Sequence, residues 1–189
     1  MELPYVVTYK RPHFFKLESK MQGLTIIQAF DGQTAWQATP ATDNKPQAML
    51  PSHANSLRNQ GKFDGPLIGY EDDGYNLELI GQEEIEGQNT YHLKLTQADD
   101  SLRAANGDFI THVYVDTASF LEMKITIQGD IEGNRFEVDL YPSDYKEIDG
   151  VKIAHTITTK MGSKVMAKQV FNKIELNIDI PDSEFMMPN

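Results

Sequence analysis

The side chains best suited to proton transfer or metal ligation near neutral pH are five histidines, and their placement argues against both roles. His13, His53, His92, His112 and His155 never fall at a ligand spacing such as His-x-x-x-His, and no nucleophile elbow or phosphate-cradling glycine loop occurs. His92 and His112 stand in alternating runs whose neighbours suggest solvent-facing strand positions, which favours surface histidines over general bases. The acidic pairs Asp72-Asp73, Glu83-Glu84 and Asp99-Asp100 lie beside glycine or in polar stretches. They read as turn residues and solubilising charge, with a weak calcium contact at Asp99-Asp100 as the one metal alternative. The chain has no cysteine, so neither a disulfide framework nor a thiolate zinc site can form. No catalytic residue, metal site or cofactor is assigned.

Charge narrows the partners. The 28 acidic residues outnumber 17 basic ones for a formal net charge of −11, and the basic residues are scattered, which disfavours nucleic acid and anionic membrane surfaces. A length of 189 residues suits one well-formed core, and no composition shift marks a second domain. No run approaches the ~18 apolar residues of a membrane span. The opening Met-Glu-Leu-Pro-Tyr-Val-Val has neither a basic nor an apolar signal-like region.

The elements that must position any site are short and extended. Residues 5–9 read as a strand, and after Arg11-Pro12 the alternation of Phe15 and Leu17 with Lys16 and Glu18 has a strand's period of two. Asp31-Gly32 sits between the apolar run 24–30 and the run 34–37, a strong hairpin signal. Residues 39–47 form a loop by composition. Pro51-Ser52 opens a helix, with Ser52 as its cap and Gly61 as its end, and a second helical turn begins at Pro66. Strands resume over 75–80, 88–97, 109–116, 121–128, 135–141, 151–160 and 165–176. About eleven strands with hairpin-sized links predict a mainly β, antiparallel fold of up-and-down connection.

The order K-R-P, aromatic strand, apolar strand, D-G-x-T-x-W and closing Pro40 resembles the bacterial LolA/LolB-like lipoprotein carriers, within them the outer-membrane lipoprotein-sorting proteins. FDGPLIGY from Phe63, ELIGQEEIEGQNTYHLKL from Glu78, VYVDTASFLEMKI from Val113, SDYKEIDGVKIAHTI from Ser143 and KIELNIDIPDSEFMMP from Lys173 extend it over nearly the whole chain. The resemblance implies a strongly curved incomplete barrel round a short helical plug or lid, as a single domain over 1–189 that lacks the family's signal peptide and first helix. It also implies a periplasmic location and carriage rather than catalysis. The cargo would be an acylated lipoprotein or other amphiphile, exchanged with a membrane-bound donor or acceptor protein. A non-enzymatic sensor or protein-interaction module reusing the fold is the alternative.

On that reading, acyl chains would lie against apolar side chains on the concave face. The candidates are Phe15, Leu17, Ile26, Trp36, Leu67, Ile68, Tyr91, Leu93, Val113, Met123, Ile125, Phe136, Val138 and Leu140. Ordinary core packing would produce the same alternation. Arg11, matching the arginine of the K-R-P motif, would latch the helical lid. Residues 51–70 read equally as a movable lid or a fixed plug.

Overall fold

The computed structural model describes residues 3–21, 23–50, 54, 57–58, 60–98, 108–131 and 133–188. The proposed Ser52 cap and the Asp99-Asp100 pair lie outside them. Among the described residues the chain is mainly β and antiparallel, with twelve strands in two sheets. It forms two compact units, one of residues 1–68 with 179–189 and one of residues 69–178.

The first unit holds β1 (Tyr5–Lys10), β2 (Phe14–Met21), β3 (Leu24–Phe30), β4 (Ala35–Ala38) and the two-residue β5 (Gln47–Ala48), paired in that order. The Asp31-Gly32 turn forms as its sequence requires. The Asp31 carboxylate accepts hydrogen bonds from the backbone N–H groups of Gln33 and Thr34 at 3.0 and 2.7 Å, and Gly32 takes a φ of 90° that a Cβ would oppose. β5 lies at the end of the stretch read as a loop, where Gln37 pairs with Gln47.

Each face of this sheet has its own core. Phe15, Phe30 and Ala35 are buried on one face with Leu57, and Val7, Tyr9 and Leu17 pack round them. Residues 54, 57, 58 and 60 are helical, and the Gly61 N–H donates to the Leu57 carbonyl at 2.9 Å. No helix begins at Pro66: residues 66–74 are turns and bends, because the glycines at 65, 69 and 74 take positive φ and interrupt helical geometry. On the opposite face Trp36 is buried with Ala29 and Ala38, and its indole N–H donates to the Phe185 carbonyl at 2.7 Å. Lys10 and Lys16 fix the same C-terminal segment through Asp182 and Glu184 at 2.5 and 3.2 Å.

The second unit is one seven-stranded meander. Its strands are β6 (Tyr75–Ile85), β7 (Gln88–Gln97), β8 (Asp108–Asp116), β9 (Glu122–Ile131), β10 (Asn134–Ile148), β11 (Val151–Met161) and β12 (Lys164–Val170). Each pairs antiparallel with its neighbours in sequence. β10 runs seven residues past its predicted end, because its register with β11 continues unbroken from Asp139↔Lys160 to Ile148↔Val151, with Asp144 taking a φ of 53° on the way. β12 stops at Val170, six residues short of expectation, after which the chain is irregular.

Candidate functional site

Directly opposed residues of an antiparallel pair share a face, so the register assigns every candidate to one side of its sheet. In the second unit Leu79, Leu93, Val113, Ile125 and Leu140 form one continuous row across β6 to β10. Beside it Tyr91 pairs with Val115, and Ile127 pairs with Val138. Phe136 opposes Gly129, over which its ring meets Phe109 edge-on at 5.8 Å. Seven of the candidates, Tyr91, Leu93, Val113, Ile125, Phe136, Val138 and Leu140, therefore share one face.

Burial on this face is graded. Val113 is fully buried, Leu93, Phe136, Val138 and Leu140 are half-buried, and Leu79 is 61% exposed. The half-buried members leave apolar surface from which water is only partly excluded.

The other candidates lie elsewhere. Met123 stands at an irregularity in the β8–β9 ladder, where Tyr114 pairs with Lys124 but Val115 with Glu122, and it lines a cavity with Tyr141 and Lys160 rather than joining the row of Ile125. In the first unit Phe15 and Leu17 share a face with Ile26 by way of Ser19, whereas Trp36 opposes Ala29 on the other side. Grouping Trp36 with them is thereby corrected: strand parity turns it toward Phe185. Leu67 is half-buried, and Ile68 is 65% exposed.

Arg11 pairs with Asp64, which lies within residues 51–70. Its Nε and terminal nitrogen donate to the two oxygens of Asp64 at 2.8 and 2.5 Å, a bidentate pair. The guanidinium holds the Asp64 carboxyl below the usual carboxylate range, through hydrogen bonding first. Nearby, the Tyr9 ring lies 5.5 Å from that of Phe63.

The polar face of the seven-stranded sheet was not legible as a unit in the sequence. His92 is buried, 7% exposed, and not solvent-facing. Its Nδ1 meets Glu83 Oε1 at 2.7 Å and its Nε2 meets His112 Nδ1 at 2.7 Å, while the Tyr114 ring stacks on it at 4.5 Å. Glu83 is thus a strand residue with a buried partner, not a turn charge. His112 hydrogen-bonds to Gln128, whose amide donates to Glu137 at 2.9 Å. Alongside, Asp139 accepts from Thr126 at 2.6 Å and pairs with Lys124 at 3.0 Å. Burial, then His92 and Lys94, hold the His112 imidazole below the ordinary histidine range. These side chains satisfy one another, which is what burial of polar groups requires. Alternating polar residues on neighbouring strands were the available signal, but only cross-strand register brings them together.

Among the described residues no group of three or more acidic, histidine or cysteine side chains could hold a metal ion, and no helix is long and apolar enough to cross a membrane.

No family model matches the chain, and no curated protein does. Solved structures do. A LolA superfamily protein from Nitrosomonas europaea aligns over 97% of this chain and 81% of its own at 18% identity, with a TM-score of 0.61. A protein from Vibrio parahaemolyticus, assigned as an outer membrane lipoprotein-sorting domain, aligns over 93% and 79% at 17% identity and a TM-score of 0.55. A DUF1329 family protein from Desulfovibrio piger aligns over 96% and 79% at 13% identity, also at 0.55. The described residues form two antiparallel sheets, neither closed into a barrel, and the chain has the LolA-like fold.

Proposed function

We propose that this protein binds and carries the acyl chains of a lipoprotein or other amphiphile, in the periplasm, by noncovalent burial. The observation that carries the reading is the continuous apolar row from Leu79 to Leu140, graded from exposed at Leu79 through buried Val113 and Ile125 to half-buried Leu140, in a fold shared with lipoprotein-sorting structures. Each methylene moved from water onto such a face gains about 0.8 kcal/mol, so a carrier needs no covalent step. Aliphatic and aromatic contacts have little directionality, and they accept chains of differing length and release them. A membrane-bound donor or acceptor protein would complete the exchange.

The bidentate Arg11–Asp64 pair supports a latch that holds residues 63–64 against the turn after β1. The second reading, a sensor or interaction module, is favoured by one observation: edge strand β12 exposes Val165, Met166 and Val170, each at least half exposed. An exposed edge can accept a partner's strand.

Uptake of a fluorescent fatty acid separates these readings. Val138→Trp on a ligand face should lower uptake several-fold with little loss of Tm, whereas in a filled core it would overpack at about 1–3 kcal/mol. Arg11→Ala should speed uptake without changing the fold. A Val138→Trp variant with normal uptake and a sharply lowered Tm would refute the acyl face. Co-purified lipid in native mass spectrometry supports carriage, and a stable protein partner on an empty chain supports the module.

A further inference from the structure

A second site lies on the opposite face of the seven-stranded sheet. A cavity of about 350 Å³ is lined by Glu86, Leu121, Met123, Tyr141, Ser143 and Lys160, with Thr158 beside them. Tyr141 and Thr158 are direct partners across the β10–β11 ladder, and Ser143 and Lys160 are each two residues along, so all four project from one face. Leu140, in the apolar row, projects from the other.

Among the described residues the charges here are not tied into ion pairs: Asp139, directly opposite Lys160 in the ladder, is taken by Lys124. The Lys160 ammonium lies 4.2 Å from the centre of the Tyr141 ring and has no carboxylate partner among the described residues. Lys124, the other cation near this ring at 5.7 Å, is by contrast tied to Asp139. Glu86 lines the same cavity, is joined to no cation among the described residues, and forms no ion pair with Lys160. The hydroxyls of Tyr141, Ser143 and Thr158 likewise have no hydrogen-bond partner among the described residues, whereas the Tyr145 hydroxyl donates to the Glu122 carbonyl at 2.9 Å and Ser119 to Asp116 at 2.6 Å. Leu121 and Met123 add apolar surface. One unpaired cation, one unpaired carboxylate and three available hydroxyls share a concavity of the size that holds small ligands, roughly 300–1,000 Å³.

We propose that this cavity binds a small zwitterion carrying a primary ammonium and a phosphate group. The phosphate would be held by Lys160 and the hydroxyls of Tyr141, Ser143 and Thr158, and the ammonium by Glu86. Glu86 disfavours a plain anion and Lys160 a plain cation, which gives the site its selectivity. Such chemistry occurs in an ethanolamine-phosphate lipid head group and in the free phosphoamine.

The test titrates the full chain with O-phosphoethanolamine, with inorganic phosphate and with ethanolamine, by calorimetry and by amide chemical shifts. Saturable binding of the zwitterion is expected, about tenfold or more tighter than either half, with shifts confined to residues round 141, 158 and 160. Lys160→Met should weaken the zwitterion about tenfold or more, and Tyr141→Phe more modestly. Glu86→Gln should weaken the zwitterion while leaving phosphate equal or tighter, a split that a general loss of structure would not produce. Lys164→Met, on β12, should bind as the wild type does. Binding to vesicles of phosphatidylethanolamine over phosphatidylcholine identifies the lipid head group as source, and binding of the soluble zwitterion alone identifies the free molecule. No saturable binding up to about 10 mM, or unchanged affinity in both Lys160→Met and Glu86→Gln, overturns the proposal. Neither result bears on fatty-acid uptake, which reads the other face.

Discussion

At the scale of single residues, proton counting on the histidine pair leads to a pH dependence. A bond between two ring nitrogens holds one proton, so the two rings cannot both be imidazolium: that would set N–H against N–H across the 2.7 Å contact of His92 and His112. Glu83 and Tyr114 contact His92, and on His112 the lowering by Lys94 is partly offset by Glu137. Since the folded chain holds the His112 value below that of the unfolded chain, the unfolded state takes up this proton first as pH drops. Stability is therefore expected to fall from pH 7.5 through the unfolded histidine value of about 6.5, lowering Tm by a few degrees by pH 5. The lowered carboxyls of Asp64 and Asp116 withdraw their contributions only below the unfolded carboxylate value of about 3.9, so the two windows separate. Thermal melts of wild type and His112→Gln decide it: the variant should lose the slope between pH 7.5 and 5, and an equal slope in both would remove His112 as its source.

At the scale of elements, the strands were legible and their neighbours were not. Alternation in Phe15–Leu17 and Tyr91–Leu93–Leu95 reports period two directly, and Asp31-Gly32 and Asp149-Gly150 mark hairpins by residue type. The parity of Trp36 was in principle readable, because an even-membered turn after Phe30 pairs Trp36 with an odd-numbered residue of β3 and never with Ile26. The contribution of Met123 was not, since it depends on a local break in the β8–β9 register. The 54–60 segment shows a similar dependence on partners. Its helical tendency is visible, but its seating on the sheet comes from Leu57, 2% exposed against Phe15 and Phe30, and from close approach at Gly61. A Cβ on Gly61 would stand 2.6 Å from the His13 carbonyl oxygen, a backbone atom that cannot swing aside. Gly61→Ala is therefore expected to cost about 1–3 kcal/mol in urea unfolding and to raise hydrogen exchange over residues 54–61. Wild-type stability in this variant would show that the close approach exerts no constraint.

At the scale of the whole molecule, a net charge of −11 sets how an anionic amphiphile arrives. A carrier with a basic rim would draw fatty acids in at low ionic strength and lose them as salt is added. On the proposed function this chain is expected to do the reverse, because its net negative field repels a carboxylate over distances near the Debye length, about 10 Å at 0.1 M salt. Adsorption of the chain itself to an anionic bilayer is disfavoured by the same field, so on the proposed carrier function cargo would be received through contact with a membrane protein. What the apolar row offers the acyl chain is insensitive to screening, since burial of methylenes is nonelectrostatic. Raising sodium chloride from 0.05 to 0.5 M should therefore strengthen uptake of a fluorescent fatty acid by roughly twofold. An uncharged fluorescent fatty amide of equal length should change far less, and the difference between the two ligands isolates the charge term. If the fatty acid instead binds more weakly as salt rises, a local cation must receive its carboxylate. Lys124 and Lys160, on the opposite face, would not be that cation, and the position of the head group relative to the row from Leu79 to Leu140 would have to be redrawn.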